Sequence, residues 1–256
     1  MNKKIPIVII CILVVFCGIL LLVLQDKNED KNSSLNELNN KKTYYLVIGN
    51  DSVWSYHDKW SKASNTDIDG NKLEVYIEKK YIGLKTLKYG TVWNIFSGNE
   101  YEFYDGSMLA FSTDFGKVIN FTISNIDNDN LQEINKILKS NFHDYSFSVN
   151  EKISVDLNSD GRLDTIVSVS NLDIEGQDLY FNLVYTKIND KINILINESI
   201  QIEDYYNAPI YNMNYVLNIL NTNYIIFRKG YFSNVNKSGN IMYELIDGKY
   251  ELVIED

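Results

Sequence analysis

Short runs of β-branched and aromatic residues, separated by Gly, Asn and Asp, dominate the chain from Tyr44 onward: YYLVIG, KLEVYIEKKYIG, YEFY, MLAFS and VINFTIS. Alternation with period two puts successive side chains on opposite faces of an extended backbone, so these runs predict strands. Asp105-Gly106, Asn189-Asp190 and Asp247-Gly248 lie between such runs. These residue types tolerate the positive φ of two-residue hairpin turns, which makes antiparallel pairing the main theme.

One segment changes period. In DNLQEINKILKS, Leu131, Ile134, Ile137 and Leu138 return to one face, Asp129 is placed to cap the first turn with Gln132 three residues on, and Lys136 and Lys139 lie near the negative end of the dipole. This predicts a helix near residues 129–140 that covers one face of a sheet. The stretch 211–228, YNMNYVLNILNTNYIIFR, carries both signals. Met213, Val216, Leu217 and Leu220 repeat at helical spacing, while YIIF has the character of a buried strand. The expectation there is a short helical or irregular piece followed by a strand.

Residues 5–24, IPIVIICILVVFCGILLLVL, are twenty positions without a charge. As a helix they extend about 30 Å, the hydrocarbon thickness of a bilayer. The run is longer than the apolar region of a signal peptide and ends without an Ala-x-Ala-like cleavage site, so an uncleaved transmembrane signal-anchor is expected. Residues 1–4 then form a cytoplasmic tail and 25–42, rich in Asn and charge, a flexible linker. Residues 43–126 make a β-rich N-terminal lobe, and 127–256 a lobe holding the helix and further strands. The fold class expected is an N-terminal transmembrane helix followed by a mainly antiparallel β (α+β) extracellular domain with one or two short helices. The lipid bilayer is the partner of residues 5–24, and a cell-surface glycan or protein is a further candidate partner.

Composition narrows the function classes. Both cysteines, Cys11 and Cys17, fall in the apolar run, so residues 25–256 hold no disulfide, cysteine nucleophile or thiolate metal site. A net charge of -10, with no Lys/Arg cluster, argues against binding a phosphate backbone. The heavy use of Asn, Lys and Ile resembles that of low-GC Gram-positive bacteria.

The most informative chemistry is DLNSDGRLD, residues 156–164. Asp156, Asn158 and Asp160 alternate, Gly161 permits a sharp bend, Arg162 offers its backbone carbonyl and Asp164 supplies an oxygen at the ninth position. Three clustered carboxylates repel one another, and a hard cation resolves that conflict. The pattern D-x-N-x-D-G-x-x-D resembles the calcium loops of EF-hands, dockerins and, more closely, the FG-GAP type repeats of β-propellers. The resemblance spans these nine residues and their flanking strands, and it implies one Ca²⁺ held by Asp156, Asn158, Asp160, the Arg162 carbonyl and Asp164. Val167 stands where an EF-hand carries its bidentate Glu, and KISV and TIVSVS alternate as strands, so a helix-flanked calcium switch is not implied. The alternative is an acidic turn between strands. A weaker candidate, DIDGNKLE from Asp67, has its glycine out of register, and the segment from Asn218 has the look of an eroded copy of the loop.

Catalytic signals are sparse. His57 and His143 are the only histidines, and no G-x-S-x-G, H-E-x-x-H, P-loop or dinucleotide motif is present. His57 lies between Trp54 and Trp60 beside Asp58, a setting for a wet aromatic pocket. The tyrosines at 205, 206, 211, 215, 224 and 231 are either an aromatic binding face or half-buried strand positions. The function expected is a membrane-anchored extracellular structural or ligand-binding protein stabilised by Ca²⁺. The alternative is a cell-surface hydrolase using His57 and carboxylates that the sequence does not single out.

Overall fold

A computed structural model describes residues 42–256 apart from 50–51, 91–92, 98–99, 104–107, 142–145, 172–177, 202–203, 205–206 and 232–237. The elements run β1 (Tyr44–Ile48), β2 (Ser52–Tyr56), β3 (Trp60–Lys62), α1 (Asn65–Ile68), β4 (Lys72–Ile77), β5 (Lys80–Tyr89), β6 (Trp93–Ser97), β7 (Glu100–Phe103), β8 (Met108–Ser112), β9 (Gly116–Val118) and β10 (Thr122–Ile123). They continue with α2 (Asn128–Asn141), β11 (Ser148–Val155), β12 (Asp164–Ser170), β13 (Leu179–Ile188), β14 (Lys191–Gln201), β15 (Pro209–Ile219), β16 (Thr222–Tyr231), β17 (Gly239–Ile246) and β18 (Lys249–Glu255).

Three antiparallel sheets result. The first has eight strands in the order β3-β2-β1-β8-β4-β5-β6-β7, the second five in the order β18-β17-β16-β15-β9, and the third five in the order β10-β11-β12-β13-β14. Alternation along the strands stacks them. Leu46, Ile48, Leu109 and Phe111 of the first sheet pack against Tyr215, Leu217, Tyr224 and Ile226 of the second. The intervening positions Val47, Met108 and Ala110 face the other way, into a core closed by Ile68 of α1 and Trp93 of β6. On its opposite face the second sheet sends Val216, Ile225 and Phe227 against Ile153, Val155, Ile166 and Val184 of the third. The third sheet's outer face, with Val167, Val169, Phe181 and Leu183, is covered by Ile134, Ile137 and Leu138 of α2.

The second sheet is therefore buried on both faces, which explains one misread element. Residues 211–228 form no helical piece: they belong to the long hairpin of β15 and β16. Two-sided burial makes both strand faces apolar, and a register shift between Met213 and Tyr215 breaks the period of two. The sequence spacing then imitates a helix. Leu220, read as part of that helical stripe, occupies the hairpin turn instead and is 46% exposed.

The turn chemistry is uniform. Asn189-Asp190 and Asp247-Gly248 have positive φ at both central positions, as do Glu78-Lys79 and Leu220-Asn221, whose hairpins the composition did not advertise. Asp105-Gly106 lies outside the described residues. Leu220 at φ 48° carries a side chain ill suited to that region. Replacing it with Asn should raise stability by about 1 kcal/mol, read as a higher denaturant midpoint at unchanged slope. An unchanged or lower midpoint would show that the Leu220 side chain contributes more than its backbone costs.

The cap of helix α2 lies two residues before the expected one. Asp127 Oδ1 accepts the Asn130 backbone N–H at 2.8 Å, and Asn130 Oδ1 accepts the Asp127 N–H at 3.3 Å, a reciprocal box in place of one built on Asp129 and Gln132. The Asn130 N–H, then the neighbouring Lys152, hold the Asp127 carboxyl below its ordinary value. Asp127 thus favours the folded state above the unfolded carboxylate pKa, and that contribution is lost as pH falls through the lower folded value.

The expected fold class needs correction at its first element. Among the described residues no helix is long and apolar enough to cross a membrane. The α1 helix has four residues, and α2 has fourteen, of which only Leu131, Ile134, Ile137 and Leu138 are apolar. At 1.5 Å per residue even α2 reaches only about 21 Å, short of the roughly 30 Å of hydrocarbon. The fold is a mostly antiparallel β domain with two short helices among the described residues. The transmembrane helix, the bilayer partner, the membrane-anchored role and the single-pass, extracellular localisation have no element to rest on in it and are not carried further. Residues 5–24, on which they were placed, lie outside the described residues.

Candidate functional site

The segment 156–164 joins β11 to β12, and Val155 and Asp164 are paired across its base. Ser159 at φ 60° and Gly161 at φ 83° fold the backbone back on itself. Asp156 accepts two backbone N–H groups, Asp160 on Oδ1 at 3.1 Å and Gly161 on Oδ2 at 2.9 Å. Asn158 Oδ1 accepts the Asp160 N–H at 3.1 Å, and its Nδ2 donates to Asp160 Oδ2 at 3.0 Å. Asp160 Oδ1 accepts the Arg162 N–H at 2.9 Å. At the base, Asp164 Oδ2 accepts the Leu157 N–H at 3.0 Å.

These bonds set the charges apart. The Arg162 N–H, then Asn158, hold the exposed Asp160 carboxyl below the usual carboxylate range. Asp164 is only 5% exposed. Burial pushes its carboxyl up, the backbone N–H groups of Leu157 and Asn189 pull it down, and the charges of Asp160 and Asp156 add to the rise. The loop therefore keeps a buried carboxyl under the field of two other acids.

Residues that the sequence did not mark anchor the loop from below. The Asn223 amide of β16 donates to the Leu157 carbonyl at 2.8 Å and to Ser159 Oγ at 3.1 Å, and Asn218 Nδ2 donates to Asn223 Oδ1 at 2.6 Å. The Tyr250 hydroxyl of β18 donates to the same Leu157 carbonyl at 3.2 Å. Burial first, then the charges of Asp164 and Asp156, raise the Tyr250 phenol well above its ordinary value. The segment from Asn218 is thus a support for the 156–164 loop, built as a hairpin. In the other weak loop, Asp67 completes a capping box with Ser64 at the start of α1, and Asp69 accepts the Tyr89 N–H at 2.8 Å.

Among the described residues no group of three or more His, Cys, Asp or Glu side chains is gathered as a metal centre. This holds for Asp156, Asp160 and Asp164, whose carboxylates accept backbone N–H groups of the loop. The donor types fit a hard cation, while the completed hydrogen bonds and the absence of a gathered carboxylate group fit a turn that closes without one.

His57 is exposed on the turn between β2 and β3. The concavity beside it, about 250 Å³, is lined by Tyr56, Asp58, Lys59, Trp60, Glu244 and Val253, without His57. It is not the pocket expected around His57 between Trp54 and Trp60, since neither His57 nor Trp54 is in its lining. His143, Tyr205 and Tyr206 lie outside the described residues. Tyr211, Tyr215 and Tyr224 are core side chains, between 0% and 4% exposed, so they form no aromatic binding face. The hydroxyls of Tyr211 and Tyr224 donate to Glu198 at 2.7 Å and Glu244 at 2.9 Å.

Compared with known proteins, the chain matches no family model, no curated protein and no solved structure.

Proposed function

We propose that residues 43–256 form a non-catalytic structural or ligand-binding β domain whose 156–164 loop holds one Ca²⁺. The observation that carries this reading is the buried Asp164 carboxyl, raised by burial and, to a smaller extent, by the charges of Asp160 and Asp156. A divalent cation in that field removes the repulsion and lowers the carboxyl's affinity for protons. Asp156, Asn158, Asp160, the Arg162 carbonyl and Asp164 are the ligands. The ion stiffens the junction at which the third sheet meets β16 and β18 of the second through Leu157.

Binding to the folded chain alone raises stability by mass action, about 2.7 kcal/mol at a free concentration one hundred times Kd. Calorimetric titration of the full chain with CaCl₂ should give one site, and melting with and without EDTA should differ by several degrees. The ligand carboxylates must be deprotonated, so affinity should rise with pH, last of all as the raised Asp164 carboxyl ionises above the ordinary Asp value, with proton release. Asp160→Ala should abolish the heat, while Arg162→Ala should leave most of it because the Arg162 ligand is backbone.

The second reading, a metal-free turn, is favoured by the hydrogen bonds that Asp156 and Asp160 already complete with the backbone. Absence of heat at millimolar calcium, together with identical melting in EDTA, would establish that reading. The hydrolase alternative gains nothing from His57, which is exposed and does not line the adjacent cavity.

A further inference from the structure

The cavity between the β2–β3 turn and the edge of the second sheet joins aromatic walls to polar groups of both senses. Tyr56 and Trp60 stand with ring centroids 5.2 Å apart and planes inclined by 61°, giving two apolar walls that meet at an angle. Trp60 is held edge-on to Tyr224 at 5.9 Å and tilted against Phe115 at 5.7 Å, so its ring has fixed support from behind. Glu244 is fixed as well. The Tyr224 hydroxyl donates to its Oε1 at 2.9 Å, which leaves Oε2 to accept from an incoming donor. Asp58, Lys59 and Val253 complete the lining, and Lys59 brings an ammonium donor.

Ligand class follows from that lining. An anion meets the immobilised Glu244 carboxylate, and a purely apolar ligand strands that carboxylate and the Lys59 ammonium beside it. A lone ammonium is favoured by that carboxylate and the rings but must share the space with Lys59. A polyhydroxylated ring satisfies every wall. Its hydroxyls donate to Glu244 and accept from Lys59, and its C–H face lies on an aromatic ring. The volume, about 250 Å³, falls below the roughly 300–1,000 Å³ of drug-sized pockets, which suits one sugar unit with the rest of a chain outside.

We infer that the Tyr56–Asp58–Lys59–Trp60–Glu244 cavity binds one ring of a saccharide. The preformed aromatic walls and the immobilised carboxylate reduce the ordering cost of binding, although the small buried area sets affinity in the millimolar to high micromolar range. The site shares no residue with the 156–164 loop, so chelation of calcium leaves its geometry in place.

Saturation-transfer NMR and tryptophan fluorescence on the full chain test this, using glucose, galactose, mannose, N-acetylglucosamine and their β- and α-linked oligomers, with choline and lysine as ammonium probes. At least one saccharide should bind, with its ring protons receiving saturation. Lys59→Ala on the exposed turn and Glu244→Gln should each weaken it five-fold or more without loss of the folded spectrum. Trp60→Ala should abolish binding, with melting recorded to separate loss of the wall from loss of fold. Binding of choline or lysine in preference to every sugar would overturn the assignment, as would sugar binding unaffected by Lys59→Ala and Glu244→Gln, or no binding by any sugar at tens of millimolar.

Discussion

Replacing Phe115 with alanine should remove about 3–5 kcal/mol of stability, the range for deleting a large aromatic side chain from a packed core. Phe115 is 1% exposed and lies where the chain leaves β8 of the first sheet to enter β9 of the second. Its ring stacks on Tyr44 with centroids 4.6 Å apart and an interplanar angle of 8°, and it also contacts Tyr56 and Trp60. Its backbone is committed on both sides, donating to the Ser112 carbonyl at 3.2 Å and accepting the Leu220 N–H at 3.2 Å. The neighbouring Gly116 fits only because a Cβ there would meet the Asn218 carbonyl at 2.7 Å. Crowding of this kind leaves little room for the surroundings to collapse into the vacated space, which places the loss toward the upper end of the range. Urea unfolding should show the lower midpoint, and melting should fall by roughly 6–20 °C for a domain of this size. A loss under about 1 kcal/mol would mean that the aromatic cluster repacks and that this crossing is not a fixed joint.

Legibility in the sequence followed turn chemistry and burial geometry. Where turn residues announce the ends of strands, as at Asp247-Gly248, turn chemistry identified the hairpin although β17 is buried over most of its length. At α2, the apolar residues Ile134, Ile137 and Leu138 located the helix, while Leu131 on the same stripe is 39% exposed because it precedes the contact with the third sheet. In the β15–β16 hairpin the strand at YIIF was legible but β15 was not, because burial on both faces erases the alternation that marks a strand. At the 156–164 loop, the local spacing of acids and glycine identified a tightly hydrogen-bonded unit. Its supports are remote in sequence: Asn223 lies 66 residues from Leu157 and Tyr250 lies 93. Nothing in an isolated Asn or Tyr says which carbonyl it will meet. Glu244 was hidden for the same reason, since only folding brings it beside Trp60 and Asp58.

The remote support makes the second large prediction. Asn223→Ala should cost about 2–4 kcal/mol, because a 3% exposed amide loses its bonds to the Leu157 carbonyl, Ser159 Oγ and Asn218 together. The Tyr250 hydroxyl still reaches the Leu157 carbonyl, which limits the loss to less than that of a wholly orphaned acceptor. Asn223→Asp is the sharper variant. It keeps the shape but replaces the donor with an anion that faces a carbonyl and lies in the neighbourhood of Asp164 and Asp156. Its carboxyl is then pushed up in the folded state relative to the unfolded chain, so the penalty is absent below the unfolded carboxylate pKa, near 4, and grows as pH rises through it. At pH 7 Asn223→Asp should therefore be less stable than Asn223→Ala, and near pH 4 the difference should shrink. Urea denaturation of both variants across that range measures this. Equal stability at pH 7 would show that Asn223 faces solvent rather than the buried carbonyl. If the loop holds calcium, saturating CaCl₂ should recover part of the Asn223→Asp loss by partly neutralising the acids, while leaving the Asn223→Ala deficit largely in place.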